Sequence, residues 1–213
     1  ANLKPDAVVI VATIKAIKYH GGIEKEKIQE ENIEGIKNGI ENLYRHIDNI
    51  KNKFGLNVIV ALNRYNSDTE EEIKYIKENL EKKGIEISVV ESWAKGGEGA
   101  TDIAQKLVNL VEKEEKFKFT YSLEDNIEEK IEKIVKNIYG AKGVIYEEEA
   151  KQKIEQFKIE GYGNLPICIA KTQYSFSDNP KNLKCDDEYY ITIRNLELKT
   201  GAGFIVALAG KIM

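Results

Sequence analysis

Two aromatic side chains, Tyr65 and Trp93, stand among polar residues just after runs of apolar ones. Asn63-Arg64-Tyr65-Asn66-Ser67-Asp68 follows Asn57–Leu62, and Glu91-Ser92-Trp93-Ala94-Lys95-Gly96-Gly97-Glu98-Gly99 follows Ile85–Val90. A flat ring beside hydrogen-bonding groups suits a planar ligand, which stacks on the face while the neighbours read its polar edge. Asn63, Arg64, Ser92 and Lys95 are the polar candidates for that role. Trp93 is the single tryptophan; its competing reading is an ordinary packed residue.

Other chemistry is sparse. Gly96-Gly97-Glu98-Gly99 before a helix would expose backbone N–H groups to an anion. Glu98 opposes that use, no GxxxxGK[ST] run occurs, and a tight strand-to-helix turn is the simpler reading. Gly201-Ala202-Gly203 reads as a turn or bulge between strands. His20 and His46 stand alone, without HExxH or CxxC, so no metal site is expected. Cys168, in an apolar run, is expected to be a buried inert thiol. With Cys185 the only other cysteine, a disulfide framework is excluded and a reducing, cytoplasmic setting is expected. Glu147-Glu148-Glu149 suits a helix N-terminus, where carboxylates complement the dipole.

The elements that must position the two rings follow from periodicity. Ala7–Ala12 is continuously apolar, the pattern of a strand covered on both faces. Ile33, Ile36, Ile40, Leu43, Ile47, Ile50 and Phe54 form a helical stripe ended by Gly55. Ser67-Asp68-Thr69-Glu70 reads as a capping box with Ser67 at the N-cap and Glu70 at N3. The helix it starts carries Ile73, Ile76 and Leu80 and stops near Gly84. Another helix carries Ile103, Leu107, Leu110 and Val111. Alternating strands and helices define α/β with a mainly parallel sheet, so loops after its strands share one edge. Beyond Glu112–Lys116 the pattern changes. Helices at 127–140 and 147–160 precede strand-like Pro166–Ala170, Tyr189–Leu198 and Phe204–Ala209. An α/β part, 1–116, and a smaller α+β domain, 117–213, are expected.

The 213 residues include 32 basic and 36 acidic ones, net charge −4, which argues against a basic nucleic-acid module. Ala7–Ala12 is too short an apolar run to span a bilayer. A chain that opens without Met and runs at once into an apolar strand is expected to be a fragment or processed piece.

Five segments together resemble the formate–tetrahydrofolate ligase family: Lys4–Gly22 (KPDAVVIVATIKAIKYHGG), Val58–Thr69, Val90–Gly99 (VESWAKGGEG), Asn164–Pro180 (NLPICIAKTQYSFSDNP) and Gly201–Met213 (GAGFIVALAGKIM). They run in order along almost the whole chain. The resemblance covers only the C-terminal part of that longer enzyme, and implies part of a P-loop-type sheet lacking its N-terminal half. It implies an enzyme that joins formate to tetrahydrofolate. Formate attacks the γ-phosphate of Mg-ATP to give formyl phosphate, whose formyl group passes to the folate amine as 10-formyltetrahydrofolate. Monovalent cations assist, the assembly is a homotetramer, and no nucleic acid or membrane takes part. The phosphate loop and catalytic residues are expected in the N-terminal part, so this chain alone is expected to be inactive and to bind no cofactor by itself. The alternative is a non-catalytic ligand-binding or assembly module on the same fold. The family's folate-stacking aromatics fall on Tyr65 and Trp93. Tyr65-Asn66 stands where many relatives have Phe-Pro, which keeps the ring, adds a hydroxyl and removes a rigid residue.

Overall fold

A computed structural model describes residues 4–183 and 188–210. Cys185 lies outside the described residues, as does the end of the Gly201–Met213 segment. Two compact units divide between Lys118 and Phe119.

In the first unit, β1 (Ala7–Ala12), β2 (Asn57–Asn63) and β3 (Glu86–Val90) form a parallel sheet in the order β1-β2-β3. Val8 pairs with Val58 and Val60 with Ile87. Parallel strands need crossovers, and helices supply them. Helices α1 (Ile14–His20) and α2 (Ile33–Asp48) join β1 to β2, and α3 (Glu70–Lys82) joins β2 to β3. The predicted stripe on α2 is its buried face: Ile36, Ile40, Leu43 and Ile47 pack with Ile14, Ile17, Val60, Leu62, Ile73 and Ile76. Close approach of α1 to α2 depends on Gly39, where a Cβ would overlap the Ile17 carbonyl oxygen. The stripe's last turn, Asn49–Lys53, is π-helical, and Gly55 follows it at φ +69°.

Beyond β3 lie the short α4 (Ser92–Lys95), a 3₁₀ turn (Gly96–Ala100) and α5 (Thr101–Val111). A polar clamp ties α5 to β3. Asp102 accepts from Ser88 Oγ at 2.6 Å and from Lys106 at 2.8 Å, and Lys106 also donates to the Ile87 carbonyl. The Lys106 and Ser88 hydrogen bonds hold the Asp102 carboxyl below its ordinary range.

The second unit is a mixed four-stranded sheet. Its members are β4 (Gly143–Tyr146), β5 (Ile167–Ala170), β6 (Tyr190–Lys199) and β7 (Phe204–Ala209), in the order β4-β6-β7-β5. Only the β6–β7 pair is antiparallel. Helices α6 (Ile127–Ile134) and α7 (Glu148–Ile159) bring Ile127, Ile131, Ile154 and Phe157 to its core. Lys130 is fully buried, donating to the Gly163 and Leu165 carbonyls, and burial lowers its pKa.

Three expectations need correction. β1 is not covered on both faces: it is an edge strand, and Val11 is 67% exposed. Cys168 is not buried; it lies exposed on β5, one of the two edge strands of the second sheet. The N-cap of α3 is Thr69, not Ser67, and its capping-box partner is Glu72 rather than Glu70. Both Ser67-x-x-Glu70 and Thr69-x-x-Glu72 satisfy the sequence pattern, and the turn before α3 selects the second.

Candidate functional site

The exits of β2 and β3 build one wall each. From β2, the Arg64 N–H donates to the Val90 carbonyl at 3.0 Å, which carries the sheet pairing one residue past β2. The chain then turns at once. Asp68 N–H donates to the Tyr65 carbonyl, and Asp68 Oδ2 accepts the Tyr65 N–H at 2.8 Å. This reciprocal pair fixes the backbone that carries the Tyr65 ring.

Behind the turn lies a buried ion pair. Lys18 of α1 and Glu72 of α3 meet at 2.9 Å, both fully enclosed. Lys18 also donates to the Glu30 carbonyl, Glu72 Oε1 accepts the Asn32 N–H, and Oε2 accepts the Thr69 N–H. Two charges taken out of water need such added hydrogen bonds to be tolerated. Here they bind α1, the loop before α2 and the start of α3 into one support.

From β3, Glu91 N–H donates to the Gly99 carbonyl, closing the loop that holds α4. Gly99 passes so near the Glu91 backbone that a Cβ would collide with it. Gly96 takes φ +58°, which favours glycine. These are the structural uses of the Gly-rich turn. Trp93 projects from α4 and is 85% exposed, and Tyr65 is 43% exposed.

Tyr65 and Trp93 line one cavity of about 410 Å³ at the carboxyl edge of the sheet. Asn63 and Arg64 line it with them, whereas Ser92 and Lys95 do not. Lys95 instead pairs with Glu91 at 2.6 Å, and that hydrogen bond is the main reason the Glu91 carboxyl titrates below its usual range. Arg64 is held at 2.6 Å from Glu70 and 3.7 Å from Glu91, so it bridges the two exits.

Sequence reasoning missed four lining residues: Lys15, Gln29, Asn66 and Ser67. Lys15 had a signal, since it stands three residues after β1 at the third strand exit. Its ammonium rests 4.4 Å from the centroid of the Tyr65 ring. Gln29, in the α1–α2 connection, had none.

Two polar atoms under the Tyr65 turn, Asp68 Oδ1 and Ser67 Oγ, are buried without a hydrogen-bond partner. Burial raises the Asp68 carboxyl above its ordinary range. The Tyr65 N–H counters this most, Glu72 adds to it, and Lys18 and Lys15 pull it down. A carboxyl whose folded pKa is raised contributes stability in full below its unfolded pKa and loses it as pH rises through the folded pKa. Asp68→Asn keeps an acceptor for Tyr65 and removes the buried charge. Urea unfolding across a pH series is therefore expected to show the variant losing less stability than wild type over that window. Asp68→Ala, which drops the acceptor, is expected to be less stable throughout; an Asn variant weaker than wild type at neutral pH would contradict the assignment.

Among the described residues, no group of three or more His, Cys, Asp or Glu is placed to hold a metal ion. No described helix is long and apolar enough to cross a membrane. The sequence carries no Walker-type run, and no step through ATP phosphates is assigned to this chain.

Parallel strands and crossover helices define an α/β unit, and the ring-lined cavity at its strand exits is its candidate ligand site. The family model for formate–tetrahydrofolate ligase matches residues 1–213, and the chain belongs to that family. It is 48% identical over 213 residues to the formate–tetrahydrofolate ligase of Campylobacter concisus (strain 13826), covering 100% of this chain and 39% of that protein. The Staphylococcus aureus enzymes of strains Newman and USA300, named likewise, are each 48% identical over all of this chain and 38% of their own length. The chain thus spans less than two fifths of the curated relatives it matches.

Proposed function

We propose that this chain supplies the folate-binding wall of an ATP-dependent ligase that converts formate and tetrahydrofolate to 10-formyltetrahydrofolate. The observation that carries the reading is that Tyr65 and Trp93, from different strand exits, line one cavity in a chain of this family. A pterin or aminobenzoyl ring of tetrahydrofolate lies against these faces, and Asn63 and Arg64 address its polar edge. Ser92 and Lys95 act indirectly, through the loop that carries Trp93 and through Glu91.

The rest of the reaction belongs to the remaining length of such a ligase. A formate oxygen attacks the γ-phosphorus of Mg-ATP, ADP leaves, and formyl phosphate forms. The folate amine attacks the formyl carbon, and phosphate leaves. Phosphoryl transfer depends on an electrostatic clamp, which this chain lacks in sequence. Further strands of a P-loop-type sheet pair with the open edge of β1, and the elements that connect them cover the face that carries exposed Val9 and Val11. The working form is a cytoplasmic homo-oligomer, a tetramer in this reading, assisted by a monovalent cation.

The test compares wild type with Trp93→Phe, because Trp93 is the single tryptophan of these 213 residues and is exposed, so the part of the fluorescence response that the variant loses reports on this site. Titrating the protein at its full encoded length with tetrahydrofolate is expected to quench its fluorescence saturably, whereas ATP leaves Trp93 unchanged. No response to tetrahydrofolate would overturn the folate wall. Binding without formyltetrahydrofolate synthesis would select the non-catalytic module instead.

A further inference from the structure

We propose that Lys15 is the receptor for the carboxylate end of the ligand, and that its contact with Tyr65 couples ring stacking to carboxylate capture. The proposal rests on the folate reading above. Two cationic side chains line the cavity, Arg64 and Lys15. Arg64 is already engaged by Glu70 and Glu91. Lys15 has no carboxylate within ion-pair distance among the described residues; its contact is the face of the Tyr65 ring, 4.4 Å from the ammonium. A cation over an aromatic ring at a half-exposed site is a weak interaction, readily exchanged for an ionised hydrogen-bond partner.

The geometry makes that exchange part of binding. The ring face covered by the ammonium is not open to a second flat group. A ligand ring that stacks on this face of Tyr65 must move the ammonium aside. Folate carries flat rings at one end and glutamate carboxylates at the other. The displaced, still half-buried cation is then open to an anion on the same ligand. Gln29, on the same cavity, offers amide N–H donors to the second oxygen. A planar molecule that stacks on this face without bringing a carboxylate would displace Lys15 and leave it without a new partner. The arrangement therefore selects ligands that join a flat ring to a distal carboxylate.

Fluorescence titration of the protein at full encoded length, with Trp93→Phe as the control that isolates the Trp93 signal, measures this. The probes are tetrahydrofolate, its diamide in which both glutamate carboxylates are amides, and ATP. Wild type is expected to prefer tetrahydrofolate over the diamide by about tenfold, the size of one charge-assisted hydrogen bond. Lys15→Met keeps the apolar stem and is expected to abolish this preference, weakening tetrahydrofolate while the diamide binds as well or better. Lys15→Arg is expected to restore it. Equal weakening of both folates in Lys15→Met, or an unchanged preference, would overturn the proposal. So would an altered ATP affinity, which would make Lys15 a phosphate receptor. Wild type that binds both folates equally well would refute the carboxylate role alone, whereas wild type that binds neither would refute the folate wall beneath it.

Discussion

Replacing Trp93 by Ala is expected to raise the KM for tetrahydrofolate by roughly 5- to 150-fold in the full-length enzyme, with the KM for ATP unchanged. The span corresponds to about 1–3 kcal/mol, the usual cost of removing an aromatic platform from a stacked heterocycle. A large effect on binding with little effect on folding follows from exposure. At 85% exposed, Trp93 contributes almost nothing to the core, so the unfolding midpoint of the variant is expected to match wild type. Trp93→Phe keeps a flat face and is expected to recover most of the affinity. Steady-state kinetics with each substrate varied in turn makes the measurement. An unchanged folate KM in Trp93→Ala would remove the tryptophan from the site; an equal rise for ATP would point to general loosening of the α4 loop.

The second large effect concerns stability. Lys18→Met is expected to destabilise the protein by about 3–5 kcal/mol, because it leaves the Glu72 carboxylate enclosed without its counter-charge. Asn32 and Thr69 N–H groups still reach Glu72, but neutral donors do not replace an ammonium. Pairing Lys18→Met with Glu72→Leu removes both charges and is expected to recover much of the loss, as buried pairs replaced by apolar residues often do. The damage is also expected to reach the site, since Glu72 is half of the capping box on Thr69 and that cap directly follows the Tyr65 turn. Urea unfolding with a folate KM on the same variants would separate the two effects. A single variant within about 0.5 kcal/mol of wild type would mean that the pair contributes no more than a surface contact.

The α/β class was legible because its two signals are local. Runs such as Val58–Leu62 have no alternation, and α2 repeats its apolar residues at three and four, so strand and helix announce themselves without reference to each other. The order of such elements then implies parallel strands with exits at one edge, which is how Tyr65 and Trp93 could be singled out before any coordinates. The short β4, Gly143–Tyr146, escaped notice because it opens on a glycine and carries a shorter apolar run than the equally short β5, Ile167–Ala170.

Capping shows where local signals stop deciding. Two overlapping S/T-x-x-E patterns stand side by side at 67–72. The choice of Thr69 accompanies the Asp68–Tyr65 hydrogen bonds and the reach of Lys18 across 54 residues to Glu72. Exposure is similar. Ala7–Ala12 reads as a strand covered on both faces and Cys168 as a buried thiol, yet both lie on edge strands and Val11 and Cys168 are exposed, because an apolar run looks the same whether or not a neighbour covers it. Lys15 is a sharper case: its place just after β1 puts it at the strand exits, but nothing in Thr13-Ile14-Lys15 says that it meets the Tyr65 ring, fifty residues away. By itself the sequence determined the alternation of strands and helices, the residues able to stack a planar ligand and the family they belong to. Only the tertiary structure decided which strands are edges, which of Ser67 and Thr69 caps α3 and which cation faces Tyr65, because burial, charge pairing and ring contact depend on residues brought together from distant parts of the chain.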